Sequence, residues 1–121
     1  MKVTKTNIFI RFQLDGMHNF PKAAELFPEA AFLADRHRHM FHFELHKQVN
    51  HDDRDVEFIC FKRDVINYLY ESYSDSYRRT LEFGARSCEM IARELLEYFD
   101  CERVMVSEDG ENGAEIYKTI L

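Results

Sequence analysis

Asp35-Arg36-His37-Arg38-His39-Met40-Phe41-His42-Phe43-Glu44-Leu45-His46 is the stretch on which the reading of this chain turns. All six histidines of the protein lie between His18 and His51, and His37 and His39 stand two apart. In a β-strand successive side chains point to opposite faces, so residues i and i+2 project together. Both imidazoles then reach one point, and a metal ion there needs one more ligand from elsewhere. His18 is the natural candidate. Along the segment 38–49 the odd positions Phe41, Phe43, Leu45 and Val49 are apolar, and the even positions Arg38, His42, Glu44, His46 and Gln48 are mostly polar. One face of this strand packs, and the other meets water or a neighbouring subunit.

Working outward, residues 3–14 read as a first strand in which Ile8, Ile10, Phe12 and Leu14 alternate with Asn7, Phe9, Arg11 and Gln13. Counting on by twos from Leu14 reaches Gly16 and His18. His18 therefore extends the apolar face of its strand as His37 and His39 extend theirs, and adjacent strands bring all three to one side of a sheet. Residues 19–35 carry both prolines and read as a loop with a short helix. After a polar turn at 50–55, with Asp55 as the expected N-cap, Phe58, Phe61, Val65, Tyr68 and Leu69 follow helical spacing over about 56–73. A polar connection over 74–84 leads to a second helix from about Ser87 to Phe99. Strands over 103–108 and 114–121 then flank a hairpin-type turn, Asp109-Gly110-Glu111-Asn112-Gly113. The expected fold class is α+β, in the order ββααββ: a four-stranded antiparallel sheet with two helices on one face.

The whole chain bounds the answer. Its 121 residues suit a single domain over 1–121. Sixteen basic against twenty-two acidic residues give a net charge of −6, which argues against a nucleic-acid partner. No apolar run is long enough for a membrane span or a signal peptide. Three cysteines without CxxC spacing suit reduced thiols, so a cytoplasmic location is expected.

Three histidines without a nearby thiolate suit Zn²⁺ in an open site, with a water or ligand oxygen in the fourth position. The spacing His37-x-His39-x-x-x-x-Glu44 also matches the metal motif of the cupins, but that fold is all-β, and two amphipathic helices between 56 and 99 argue against it.

In order along the chain, further segments follow a known pattern. Gly16-Met17-His18-Asn19 ends the first strand, and His37-Arg38-His39 begins the second. Glu57-Phe58-Ile59-Cys60-Phe61-Lys62 starts the first helix, and Arg86-Ser87-Cys88-Glu89-Met90-Ile91-Ala92 the second. Glu108 is followed by Gly113-Ala114-Glu115-Ile116-Tyr117. In these features the chain resembles the 6-pyruvoyltetrahydropterin and 6-carboxytetrahydropterin synthase family, whose fold is the tunnelling fold (T-fold). The resemblance implies zinc on His18, His37 and His39. It implies a pterin or purine-like small molecule held through the Glu108 carboxylate and through Ser87 and Cys88. It further implies assembly into a homo-oligomer, a trimer or hexamer whose barrel is lined by the polar face of the second strand.

The chain departs from that family where the proton relay belongs. Leu33 stands at the position of the catalytic cysteine, and Ser76 at that of the relay histidine, leaving Asp75 as the one matching relay residue. Two functions follow as expectations. One is a zinc-dependent lyase acting on a dihydropterin triphosphate or related substrate with a rearranged acid/base set. The alternative is a non-catalytic module that binds metal and ligand.

Overall fold

The computed structural model describes residues 2–74 and 80–120. Five strands form one mixed sheet: β1 (Thr6–His18), β2 (His37–Val49), β3 (Leu81–Gly84), β4 (Arg103–Glu108) and β5 (Asn112–Tyr117), in the order β3-β1-β2-β4-β5. Between β1 and β2 run a short helix α1 (Ala23–Leu26) and a 3₁₀ segment (Pro28–Ala34). Helices α2 (Phe58–Tyr73) and α3 (Cys88–Tyr98) follow β2 and β3.

The α+β class, the two long helices and four of the strands match expectation. The sheet, however, has five strands rather than four and is mixed rather than antiparallel. The extra strand is β3, in the stretch expected to be a polar connection. Its four residues alternate strictly: Leu81 and Phe83 are fully buried, while Glu82 and Gly84 are exposed. Two apolar residues among many polar neighbours are too short a run to stand out by periodicity. Pairing supplies the rest, because β3 lies parallel to the end of β1 with Gly16 opposite Leu81 and Met17 opposite Glu82. β1 also runs on to His18, four residues beyond its expected end.

Alternation along β1, β2 and β4 buries one face of the sheet. Ile10, Phe12, Phe41, Phe43, Leu45, Val104 and Val106 point into the core. α2 covers them with Phe61, Val65 and Leu69, spaced four apart, and α3 with Cys88, Ile91, Ala92, Leu95 and Leu96. The cap of α2 is Glu57, not Asp55: its carboxylate accepts from the backbone N–H groups of Ile59 (3.2 Å) and Cys60 (3.0 Å). Asp55 instead accepts from Asn50 N–H at 2.8 Å and closes the preceding turn. Ser87 caps α3 by accepting from Met90 N–H. Glu94 ties the helices together, accepting from the hydroxyls of Tyr68 (2.7 Å) and Tyr73. Burial, with the Glu94 carboxylate second, pushes the Tyr68 hydroxyl up to about 12 and Tyr73 higher still. Among the described residues no helix covers the opposite face, where Phe9, Arg11 and Gln13 of β1 lie exposed.

Candidate metal centre

The register of β1 against β2 builds the site. His18 stands directly opposite His37, and Gly16 opposite His39. Since His18, His37 and His39 share the core-facing side, their rings gather at the upper end of the sheet. Ring centroids lie 4.7 Å apart for His18–His37, 5.0 Å for His37–His39 and 5.4 Å for His18–His39. Phe41 is the floor, meeting His18 and His39 edge-on at 5.1 and 5.9 Å. It reaches that place because residue 16 is glycine: a Cβ there would stand 2.6 Å from the Phe41 ring and 3.1 Å from Phe83.

Each ring is held by its Nδ1. His18 Nδ1–H donates to the carbonyl of Arg86 (3.0 Å), and His37 Nδ1–H to the carbonyl of Asp35 (2.8 Å). A carbonyl only accepts, so Nδ1 carries the proton in both, and in the neutral ring Nε2 bears the lone pair. His39 Nδ1 bonds the Asp109 carboxylate at 2.8 Å, which imposes the same tautomer. All three Nε2 atoms are thereby turned inward. Burial, the largest influence, lowers the pKa of His18 and favours its neutral form.

A fourth group joins them. On β4, Glu108 pairs with Phe41 and sends its carboxylate into the cluster, Oε2 lying 2.8 Å from His18 Nε2 and Oε1 3.6 Å from His39 Nε2. These contacts are short, yet His18 Nε2 and His39 Nε2 are buried without a hydrogen-bond partner. His18 is only 7% exposed, so water does not satisfy its ring either. The ligand atoms of His18, His37, His39 and Glu108 lie within 4.8 Å of one another. A tetrahedron of Zn–N bonds of about 2.0–2.1 Å separates its ligands by about 3.3 Å, a spacing that lies between the 2.8 Å of His18 and Glu108 and the 4.8 Å within which all four groups fall. Orphaned inward nitrogens, oriented by outer-shell oxygens, are the arrangement a divalent metal requires. The residues present fit zinc.

Beside this point opens a pocket of about 530 Å³. His18, His37 and Glu108 line it together with Phe20, Phe27, Leu33, Ser87, Cys88 and Met90. Leu33 lines this pocket and offers no acid or base. Ser87 and Cys88 line the same pocket, but the Ser87 hydroxyl caps α3. Burial, followed by the charges of Glu108 and Glu89, pushes the Cys88 thiol up to about 12, so it is an unionised wall rather than a nucleophile. Asp75, and Ser76 beside it, fall outside the described residues.

His42 and His46 lie on the other face of β2, as expected. His46 bonds Glu44 at 2.7 Å and stacks on Phe9. Glu44, the acidic residue of the cupin-like spacing, faces away from His37 and His39 and cannot join them. Sequence reading missed Asp109 and the two carbonyls that set the tautomers. Asp109 carried one signal: an acidic residue at the head of a turn, two residues before the exposed Glu111, where it takes φ +58° and grips both His39 and the Met40 N–H.

No family model matches the chain, and a search of curated proteins gives no significant match. Among solved structures the chain is similar to an uncharacterized protein, WS1659, from Wolinella succinogenes. The TM-score is 0.66 at 13% identity, over 97% of this chain and all of that one. The likeness is one of fold.

Proposed function

We propose that this protein binds zinc through His18, His37 and His39 and holds a pterin or purine-like molecule in the adjoining pocket. The observation that carries the reading is the shared tautomer: three imidazoles each donate from Nδ1 to a fixed oxygen, leaving three Nε2 lone pairs facing one point. A bound zinc would act as a Lewis acid on a ligand hydroxyl or carbonyl. The chain's own contribution is a half-apolar slot walled by Phe20, Phe27 and Met90, sized for a bicyclic ring.

Of the two expected functions, the binding module has the better support. Leu33 and the unionised Cys88 leave the described part of the pocket without the thiol base of a tetrahydropterin synthase. A lyase with a rearranged relay is the reading that turnover would revive. Among the described residues the outer edges of β3 and β5 and one face of the sheet carry no partner, which supports a homo-oligomer, a trimer or hexamer in which neighbouring sheets join. Among the described residues no helix is long and apolar enough to cross a membrane, and a cytoplasmic site of action is part of the proposal.

Elemental analysis of purified wild type and His37→Ala, with a dihydroneopterin triphosphate turnover assay on the same samples, tests this reading. About one zinc per chain, lost in the variant and without product, is the expected result. Product formation would replace the binding module with an enzyme, and no metal in the wild type would overturn the proposal.

A further inference from the structure

Glu108 of β4 lies against the histidine cluster. Its two carboxylate oxygens lie 2.8 Å from His18 Nε2 and 3.6 Å from His39 Nε2. Both nitrogens are lone-pair atoms, because their rings spend their protons at Nδ1 on the Arg86 carbonyl and the Asp109 carboxylate. Carboxylate oxygens and bare imidazole nitrogens repel one another at such distances unless a proton or a metal cation lies between them. No hydrogen bond relieves the two buried nitrogens. Two features aim Glu108 there. β4 pairs Glu108 with Phe41, the residue two beyond His39 on the same face of β2. The following turn is clasped to the same strand by Asp109, which accepts from Met40 N–H at 2.9 Å while its own N–H donates to the Met40 carbonyl at 2.7 Å.

From this geometry we infer that Glu108 is the fourth ligand of the metal, making a three-histidine, one-carboxylate centre that is closed until an incoming donor displaces the carboxylate. The inference rests on the proposed metal site and changes its character. The carboxylate fills the position that an open zinc site leaves to water, and it cuts the net charge of the partly buried centre from +2 to +1, which lowers the cost of holding the ion there. Glu108 also lines the pocket. A small molecule entering there can take a place on the metal by displacing this side chain, so the carboxylate acts as a gate between pocket and ion.

Cobalt(II) titration of the apo-protein separates this inference from the reading beneath it, because tetrahedral Co²⁺ absorbs strongly in the visible and reports its ligands. Wild type, Glu108→Gln, Glu108→Ala and His37→Ala are titrated with Co²⁺ alone, after thermal melts without metal establish which variants fold. Wild type is expected to take one Co²⁺ per chain with strong four-coordinate absorption. Glu108→Ala is expected to bind more weakly, by at least the roughly 10–100-fold that outer-shell partners carry, with its bands shifted as water replaces the carboxylate. Glu108→Gln, of matched size, is expected to follow it and decides the matter if the alanine variant does not fold. Glu108 variants that keep wild-type affinity and spectrum, while His37→Ala loses the ion, would overturn the carboxylate ligand and leave the three-histidine site standing. A wild type that binds no Co²⁺ would overturn both.

Discussion

Strand β2 carries histidines on both faces, and the two sets have opposite fates. On the core side His37 and His39 are anchored at Nδ1 and keep Nε2 free and inward. On the open side His46 spends its Nε2 on Glu44 at 2.7 Å, with its ring stacked on Phe9 and Arg11 held over that same Phe9 ring. His42 lies against the Gly110 turn. Residue type and spacing barely distinguish the two sets. What distinguishes them is which nitrogen is occupied, and by what: an oxygen outside the cluster leaves a ligand, whereas a carboxylate at Nε2 consumes it. A metal-ligating histidine almost always has its other nitrogen taken by an outer-shell partner, and the core-face pair has that arrangement.

The largest effect that would break this contrast is an exchange of roles. His37→Ala and His39→Ala are each expected to abolish stoichiometric zinc binding, while His42→Ala and His46→Ala leave it intact, measured by elemental analysis after gel filtration. Equal losses on both faces would mean that the metal bridges subunits across the open face instead.

Next in size is the outer shell itself. Asp109→Ala removes the acceptor that fixes the His39 tautomer and is expected to weaken zinc by about 10–100-fold in a competition assay with a chromophoric chelator. Asp109→Asn, whose amide oxygen still accepts and whose side chain tolerates the positive φ, is expected to recover part of the loss. An unchanged affinity in both variants would show that packing on Phe41, rather than the hydrogen bond, orients His39.

How much of this was legible in the sequence follows from the length over which each signal acts. The shared parity of His18 with His37 and His39 is a period-2 count along two long strands, and antiparallel pairing with His18 opposite His37 completes it. The helices announced themselves through apolar residues at spacings of three and four. β3 did not, because Leu81 and Phe83 acquire meaning only against the end of β1. The N-cap moved from Asp55 to Glu57 because each carboxylate has a nearby backbone N–H to satisfy, and only the three-dimensional turn decides which. The inward aim of Glu108 depends on its pairing with Phe41, a contact between residues 67 apart in the chain, so periodicity within a single strand cannot show it.

Gly16→Ala sharpens the contrast on the core side. The new methyl would stand 2.6 Å from the Phe41 ring, and a displaced Phe41 carries the floor of the histidine cluster with it. Overpacking of this kind costs about 1–3 kcal/mol, read as a lowered denaturation midpoint of the apo-protein. Zinc affinity is expected to fall in the same variant, because His18 and His39 both rest on that ring. A lowered midpoint with unchanged affinity would mean that the outer-shell bonds alone position the imidazoles.

The smallest effect belongs to the open face. Its bond to His46, followed by that to Arg11, holds the Glu44 carboxyl below its usual range. A depressed carboxyl pKa stabilises the fold above the unfolded-state value and loses that contribution as pH falls through the folded-state value. Glu44→Gln is therefore expected to leave stability near pH 7 lower by less than about 1 kcal/mol, as for other solvent-accessible ion pairs. As pH falls through the depressed folded-state value the variant and the wild type are expected to converge, because protonation then removes the same charge from the wild type. Denaturation midpoints at several pH values check this. A larger loss at neutral pH, growing with protein concentration, would mean that the Arg11–Glu44–His46 cluster is buried against another copy of the chain. The open face of β2 would then owe its histidines to assembly, as its core face would owe its own to the proposed metal.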